Sequence, residues 1–310
     1  KNVLYVVTRE DKQLYMVDLA SKKIISQFGL DAEAYDCKLS KDKKELFITC
    51  WGCDKVLVFD LVNNRWNKSI TVGDNPNEML VTKDGKYLYV CNSNDNSVSV
   101  VDLATRRVIE TLDAALFPNS PSGSTTNSLA LDPIAKRLYI ANANNNCLAV
   151  FDVAVPGKSL AKGFVPVGWY PTAVKIVNNK LWVANGKGMT SLANPFGPSP
   201  IRRKEEVIHH GFSTKDPSQV EYIGGLFKGT MSIIELPNQS SLDTYTKAVY
   251  ANAAYSQAKA ENADVNAPTF PIPMKVGSPS PIKHVFYIIK ENRTYDQVLA
   301  DVKGGNGDTS

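Results

Sequence analysis

The chain has 310 residues, of which 43% are hydrophobic and 21% charged, and its formal net charge is +4. The charges alternate in sign without a basic block, which removes the electrostatic case for nucleic acid as a partner. No apolar run nears the roughly 18 residues a membrane helix needs, and no charged-then-apolar leader opens the chain.

Five segments begin alike. Leu4, Leu46, Leu88, Leu138 and Leu181 open LYVVT, LFITC, LYVCN, LYIAN and LWVAN, spaced by 42, 42, 50 and 43 positions. In the first four, an aspartate lies 14 residues after the leucine (Asp18, Asp60, Asp102 and Asp152), closing a β-rich stretch. In the fifth, the matching stretch is SIIEL, with Glu235 lying 54 residues beyond Leu181 because a long insertion intervenes. A period in the low forties is that of propeller blades.

One period, residues 77–112, shows the strands within a repeat. Glu78–Thr82, Tyr87–Cys91, Ser97–Asp102 and Val108–Leu112 alternate at period 2 and favour β-branched residues, and short turns rich in Asn, Asp, Gly and Arg separate them. Four antiparallel strands joined this way make one blade. The strand nearest the axis should precede each LYV-type strand, as at 37–40, 79–82, 129–132 and 173–177. Only Lys1–Val3 precede Leu4, so the first blade is expected to lack its inner strand and the start of the protein to lie outside this chain.

These repeats resemble the YVTN-type β-propeller repeat of bacterial and archaeal surface proteins, over about residues 3–236. The expected fold is all-β: a β-propeller of four-stranded antiparallel blades, with about five blade units present. The resemblance implies a seven-bladed ring and a periplasmic, cell-surface or secreted location. WD repeats are a poorer match, because their Gly-His and Trp-Asp marks are absent.

Two departures from the period stand out. Phe117–Thr126 lengthens a loop, and residues 186–229 form an insertion inside the fifth blade. The insertion mixes Pro/Gly turns, a charged stretch and apolar residues (Phe196, Ile223, Leu226 and Phe227), which suits a docking surface reaching towards the tail. The propeller is assigned to residues 1–250, with 244–250 as the outer strand of its last blade. A Pro-rich linker covers 251–281, and a new α/β domain begins within 282–310. His284–Ile289 reads as a fully buried parallel strand, and Thr294 with Gln297 as a capping box opening a helix to about Val302.

The segment from Lys283 to Asp296, KHVFYIIKENRTYD, resembles the first motif of phosphoesterases of the phospholipase C and acid-phosphatase type, within the alkaline-phosphatase superfamily. The resemblance implies that Glu291 and Asn292 are metal ligands in the complete phosphoesterase domain, holding a divalent ion. It also implies that the parent protein is a metal-dependent phosphoesterase whose catalytic residues lie beyond Ser310. Within this chain no catalytic residue and no cofactor is expected.

Cys50 and Cys53 have C-x-x-C spacing but fall in a strand-to-strand turn, which weakens a thioredoxin-like reading. Inert buried or turn thiols come first, and a local disulfide next. The histidines (His209, His210 and His284) stand outside the regular repeats. The Asn-rich turns and the four repeat aspartates are read as turn chemistry. The leading functional expectation is a non-catalytic binding or positioning propeller in a secreted propeller/phosphoesterase protein, with its own phosphoesterase domain as partner in cis. The runner-up is a surface-layer-like propeller that binds a surface or small-molecule ligand. A propeller enzyme such as a lactonase is disfavoured, because no His/Arg/Glu cluster recurs at the axial ends of the blades.

Overall fold

The computed structural model describes residues 2–118, 120–189, 206–208, 219–221, 224, 227–253, 271–272, 279–289, 295–299 and 302–305. Residues 1–187 and 229–254 form one compact unit, and 188–228 with 255–310 a second.

The first unit is a row of five antiparallel sheets, the partial propeller that the repeats demand. Blade 1 holds β1 (Val3–Val7), β2 (Gln13–Asp18) and β3 (Lys23–Gly29). Blade 2 holds β4 (Ala34–Leu39), β5 (Glu45–Cys50), β6 (Lys55–Asp60) and β7 (Arg65–Thr71). Blade 3 holds β8 (Pro76–Val81), β9 (Tyr87–Asn92), β10 (Ser97–Asp102) and β11 (Arg107–Asp113). Blade 4 holds β12 (Thr126–Asp132), β13 (Arg137–Asn142), β14 (Cys147–Asp152) and β15 (Leu160–Pro166). Blade 5 pairs β16 (Pro171–Val177), β17 (Lys180–Asn185) and β20 (Thr230–Glu235), with the insertion entering between β17 and β20. Lys180 faces Glu235 as Tyr87 faces Asp102, so SIIEL is the displaced third strand.

Each second strand is apolar on both faces and buries both. Leu46 and Ile48 pack back on blade 1, while Phe47 packs forward on blade 3. Leu88 and Val90 repeat the backward contact, and Tyr89 the forward one. Leu138 with Ile140, and then Tyr139, do the same around blade 4. Four apolar layers therefore glue five blades. At the two ends of the row the same positions are open: Leu4 is 48% exposed against 1% for Leu46, and Trp182 is 38% exposed against 1% for Tyr89.

Polar residues set the register. The aspartates that end the third strands accept from the next turn's amides: Ala20 to Asp18 (3.1 Å), Val62 to Asp60 (2.9 Å), Ala104 to Asp102 (2.8 Å) and Ala154 to Asp152 (3.0 Å). The asparagine of the LYVCN segment is a buried tie. Asn92 accepts from the Gly73 N–H (3.2 Å) and donates to the Ser97 and Ser99 hydroxyls (2.9 Å each). Position 73 has to be glycine, since a Cβ there would lie 2.6 Å from the Asn92 Cγ.

Residues 244–250 are not an outer strand. They lie in helix α1 (Gln239–Asn252), where Leu242 and Tyr245 join the core between blades 4 and 5 and Val249 is buried. Spacings of three, four and seven are helical, and Asn238 caps the start by accepting from the Ser241 N–H at 2.9 Å. The helix packs on β15, where Thr246 Oγ1 accepts from the Phe164 N–H at 2.9 Å beside Gly163, whose φ is +137°. No helix among the described residues is long and apolar enough to cross a membrane.

In the second unit, β18 (Glu206–Ile208) pairs in parallel with β19 (Gln219–Glu221), and α2 covers Tyr295–Leu299, within the span of the expected helix, of which residues 294, 300 and 301 lie outside the described residues. The expected buried strand at 284–289 is not formed. Residues 281–289 have no strand pairing, and Phe286 is 91% exposed. A two-sided apolar run becomes a buried strand only where strands flank it, and none does among the described residues.

Two outcomes follow from the turn and junction chemistry. Asn92→Ala strands a buried amide and removes three hydrogen bonds, so a urea midpoint measurement should show a loss of about 2–3 kcal/mol. Asp18, Asp42, Asp60 and Asp84 are held below the ordinary carboxyl value of 3.8, first by the side chains of Ser21, Ser40, Asn63 and Thr82 and then by turn amides. Folded values below unfolded ones mean that this stabilisation is complete above 3.8 and is lost as pH falls through the depressed values. The urea midpoint should therefore hold steady in mild acid and fall below pH 3.8.

Candidate functional site

The inner strands β4, β8, β12 and β16 align residue for residue through their pairing with the second strands. Their third positions are Asp36, Glu78, Ser128 and Ala173, and their fifth are Lys38, Leu80, Ala130 and Lys175. Charged and hydroxyl side chains at these positions gather along the axial strands.

Two third-position side chains hold the next blade by its backbone. The Met79 N–H donates to Asp36 Oδ2 at 3.0 Å, and the Val174 N–H donates to Ser128 Oγ at 3.0 Å. Glu78 departs from the pattern by accepting from the Ser128 hydroxyl and from Lys175 Nζ (2.6 Å), which joins blades 3, 4 and 5. Lys38 closes on Asp36 at 2.8 Å. Two carboxylates and two ammonium groups thus balance to zero. The Ser128 side chain is fully buried, whereas the Lys175 side chain is 61% exposed and forms the solvent side of the cluster.

A cavity of about 260 Å³ opens here, lined by Lys38, Glu78, Leu80, Val81, Leu129 and Lys175. Beside it the Asn77 Nδ2 donates to Asn127 Oδ1 at 3.0 Å, and Asn77 Oδ1 is buried without a hydrogen-bond partner among the described residues. Cys91 lies behind the carboxylates. Burial, and then the charges of Glu78 and Asp36, push its thiol well above the ordinary value, so it stays protonated and inert. The site has a cation, an anion and apolar walls, which suits a small polar ligand. Its carboxylates already accept from internal donors, and the one hydroxyl in contact with them is closed to solvent.

The cluster was not foreseen from sequence, because Glu78 and Lys175 are 97 positions apart. The available signal was the break of inner-strand apolar pattern at Asp36, Lys38, Glu78 and Lys175 once the repeats are stacked in register. The expected metal ligands Glu291 and Asn292, and the histidines His209 and His210, lie outside the described residues; His284 lies in the exposed 281–289 segment. The Asn-rich turns do turn work. Asn96 accepts from the Gly123 and Ser124 amides, and Asn146 accepts from the Tyr170 amide. Cys50 and Cys53 are free thiols in the turn between β5 and β6.

Residues 31–191 match the family model described as lactonase, 7-bladed beta-propeller, a stretch running from just before β4 to just after β17. The chain is 28% identical over 124 residues to antigen Lp49 of Leptospira interrogans, covering 36% of this chain and 26% of that protein. A candidate 6-phosphogluconolactonase from Bacteroides uniformis superposes with a TM-score of 0.53 at 17% identity, covering 59% of this chain and 61% of that structure. A protein from Lactobacillus plantarum gives 0.54 at 15% identity, covering 60% and 61%. The chain thus spans about a quarter of the antigen and under two thirds of each of these structures, which at such identities share its fold. By its repeats, its blade-on-blade packing and the family model covering blades 2 to 4 and the first two strands of blade 5, the chain belongs to the lactonase family of seven-bladed β-propellers.

Proposed function

We propose that this propeller is a non-catalytic binding or positioning module, and that it serves a phosphoesterase domain to which the 283–296 motif belongs, in a secreted, periplasmic or surface-exposed protein. The observation that carries the first part is that every oxygen of the two axial carboxylates already accepts from an internal donor. A general base needs a lone pair facing its substrate. Glu78 instead accepts from Ser128 and Lys175, and Asp36 from Lys38 and the Met79 amide. The cluster fastens blades together and leaves two cations on its solvent side, Lys38 and Lys175, to greet a ligand.

The second part rests on the motif resemblance. Glu291 and Asn292 supply a carboxylate and an amide oxygen, the hard donors that a divalent ion takes, and when bound such an ion polarises a phosphoryl oxygen. A surface-layer-like role, with a ligand on the propeller and no hydrolysis, accounts for the repeats but leaves the motif without a purpose. A second enzymatic reading, lactone hydrolysis in the axial cavity, is favoured by the family membership alone.

The full-length protein separates these readings when assayed with p-nitrophenyl phosphate, its bis-ester and a panel of sugar and acyl lactones. The proposal expects phosphoester hydrolysis that a chelator and Glu291→Ala both abolish, with no lactone hydrolysis. Lactone turnover that falls in Glu78→Gln would install the second reading, and loss of neither activity in Glu291→Ala would remove the metal assignment. Lys175→Met should cost at most about 1 kcal/mol in a denaturation experiment, because the Lys175 side chain is 61% exposed and Glu78 keeps its bond from Ser128.

A further inference from the structure

We infer that Cys50 and Cys53 are a built-in dithiol, which small disulfides oxidise to an intramolecular disulfide across the turn between β5 and β6. The placement comes from the register of the blades. Cys50 stands where Asn92 stands one blade on, and Cys53 where Asp95 stands. The backbone is the same in both: the Cys53 N–H donates to the Cys50 carbonyl at 3.3 Å, and the Asp95 N–H to the Asn92 carbonyl at 3.2 Å. Each is therefore a four-residue turn, whose end Cα atoms lie within about 7 Å, against the roughly 4.4–6.8 Å that a disulfide requires.

The side chains at these two positions also converge. In blade 3 a single point, the Cβ that Gly73 lacks, would touch both Asn92 and Asp95. In blade 1 the residues that open and close the equivalent turn are Thr8 and Asp11, and the Thr8 side chain is the first cause holding the Asp11 carboxyl below its ordinary value. Blade 2 sets two sulfurs at the positions where its neighbours bring two polar side chains together. It also lacks the glycine, since Asp31 stands in the place of Gly73. The asparagine tie is thus absent from this junction, and a covalent bond would hold the same turn.

Accessibility sets the order of events. Cys50 is fully buried, and burial followed by the neighbouring Cys53 pushes its thiol up to about 12, while Cys53 is partly exposed. Cys53, as thiolate, attacks glutathione disulfide, breaking its S–S bond, forming a mixed disulfide and releasing one glutathione thiolate. Cys50 then attacks the Cys53 sulfur, its proton passing to the departing glutathione sulfur, and the second glutathione leaves as a thiol. Two protein thiols are oxidised and one glutathione disulfide is reduced to two glutathiones. The turn does not sit at a helix start, so the pair responds to the redox poise and does not act as a thioredoxin-like catalyst.

The test is to equilibrate the folded full-length protein in glutathione buffers, alkylate it and map the tryptic peptide Glu45–Lys55, which holds both cysteines. The expected product has lost two hydrogens, takes no alkylating agent and returns to the dithiol with dithiothreitol. Cys50→Ser should instead trap a stable mixed disulfide on Cys53, and Cys53→Ser should leave Cys50 unmodified. A wild-type protein that holds glutathione on Cys53 without closing, or that keeps both thiols at oxidising poise, would overturn the inference.

Discussion

A sheet with two apolar faces has to be covered twice, and that requirement governs everything in the first unit. The residues of β5, β9 and β13 are buried on successive positions, so each blade is unsatisfied until a neighbour lies on either side. Leucine and isoleucine point back while Phe47, Tyr89 and Tyr139 point forward, and the direction never reverses along the row. Apolar contact of this kind is non-directional and would tolerate sliding. Directional bonds at the rim and axis remove that freedom. Arg106 pairs with Glu45 between blades 2 and 3, and Glu110 accepts from the Gly157 and Ser159 amides between blades 3 and 4. At the axis, Asp36 and Ser128 grip the backbone of the next blade.

That division of labour explains the character of the axial cavity. The residues that face it are the same ones that index the blades, so charge near the axis has a structural cause before any ligand is considered. Glu78 carries both duties most heavily, because it touches two blades beyond its own. Departures from the repeat mark where a propeller of this family can be specialised without disturbing its packing. The axial cluster is one, and the thiol pair replacing Asn92 and Asp95 is another.

What was legible in the sequence was whatever recurs. The strands, the displaced SIIEL strand and the turn-capping aspartates were all readable, because one register repeated several times suppresses local ambiguity. The helix Gln239–Asn252 was missed because it occurs once, and its apolar residues Leu242, Tyr245 and Val249 are sparse enough to pass for a strand's edge. Its Asn238 cap was the signal available. The 284–289 run misled for a different reason: burial of a parallel strand is supplied by its neighbours, and no property of the run itself reveals whether they are there. The axial cluster was hidden by distance along the chain, since four strands from four blades converge only after the ring geometry is imposed.

The insertion in blade 5 also has a consequence for the order in which the molecule assembles. In blade 3 the turn from β9 to β10 is four residues, Ser93–Asn96, whereas the path from β17 to β20 runs through 186–229. Closing a loop about eleven times longer costs roughly 2 kcal/mol more in chain entropy. Hairpins in blades 1 to 4 can therefore nucleate locally and stack in sequence, while the pairing of Leu181 with Ile234 waits for an entropic search. Helix α1 follows directly from β20 and seats Leu242 in the core beside blade 4. Its docking tethers the late strand from its far end, so α1 acts as a latch on the last blade.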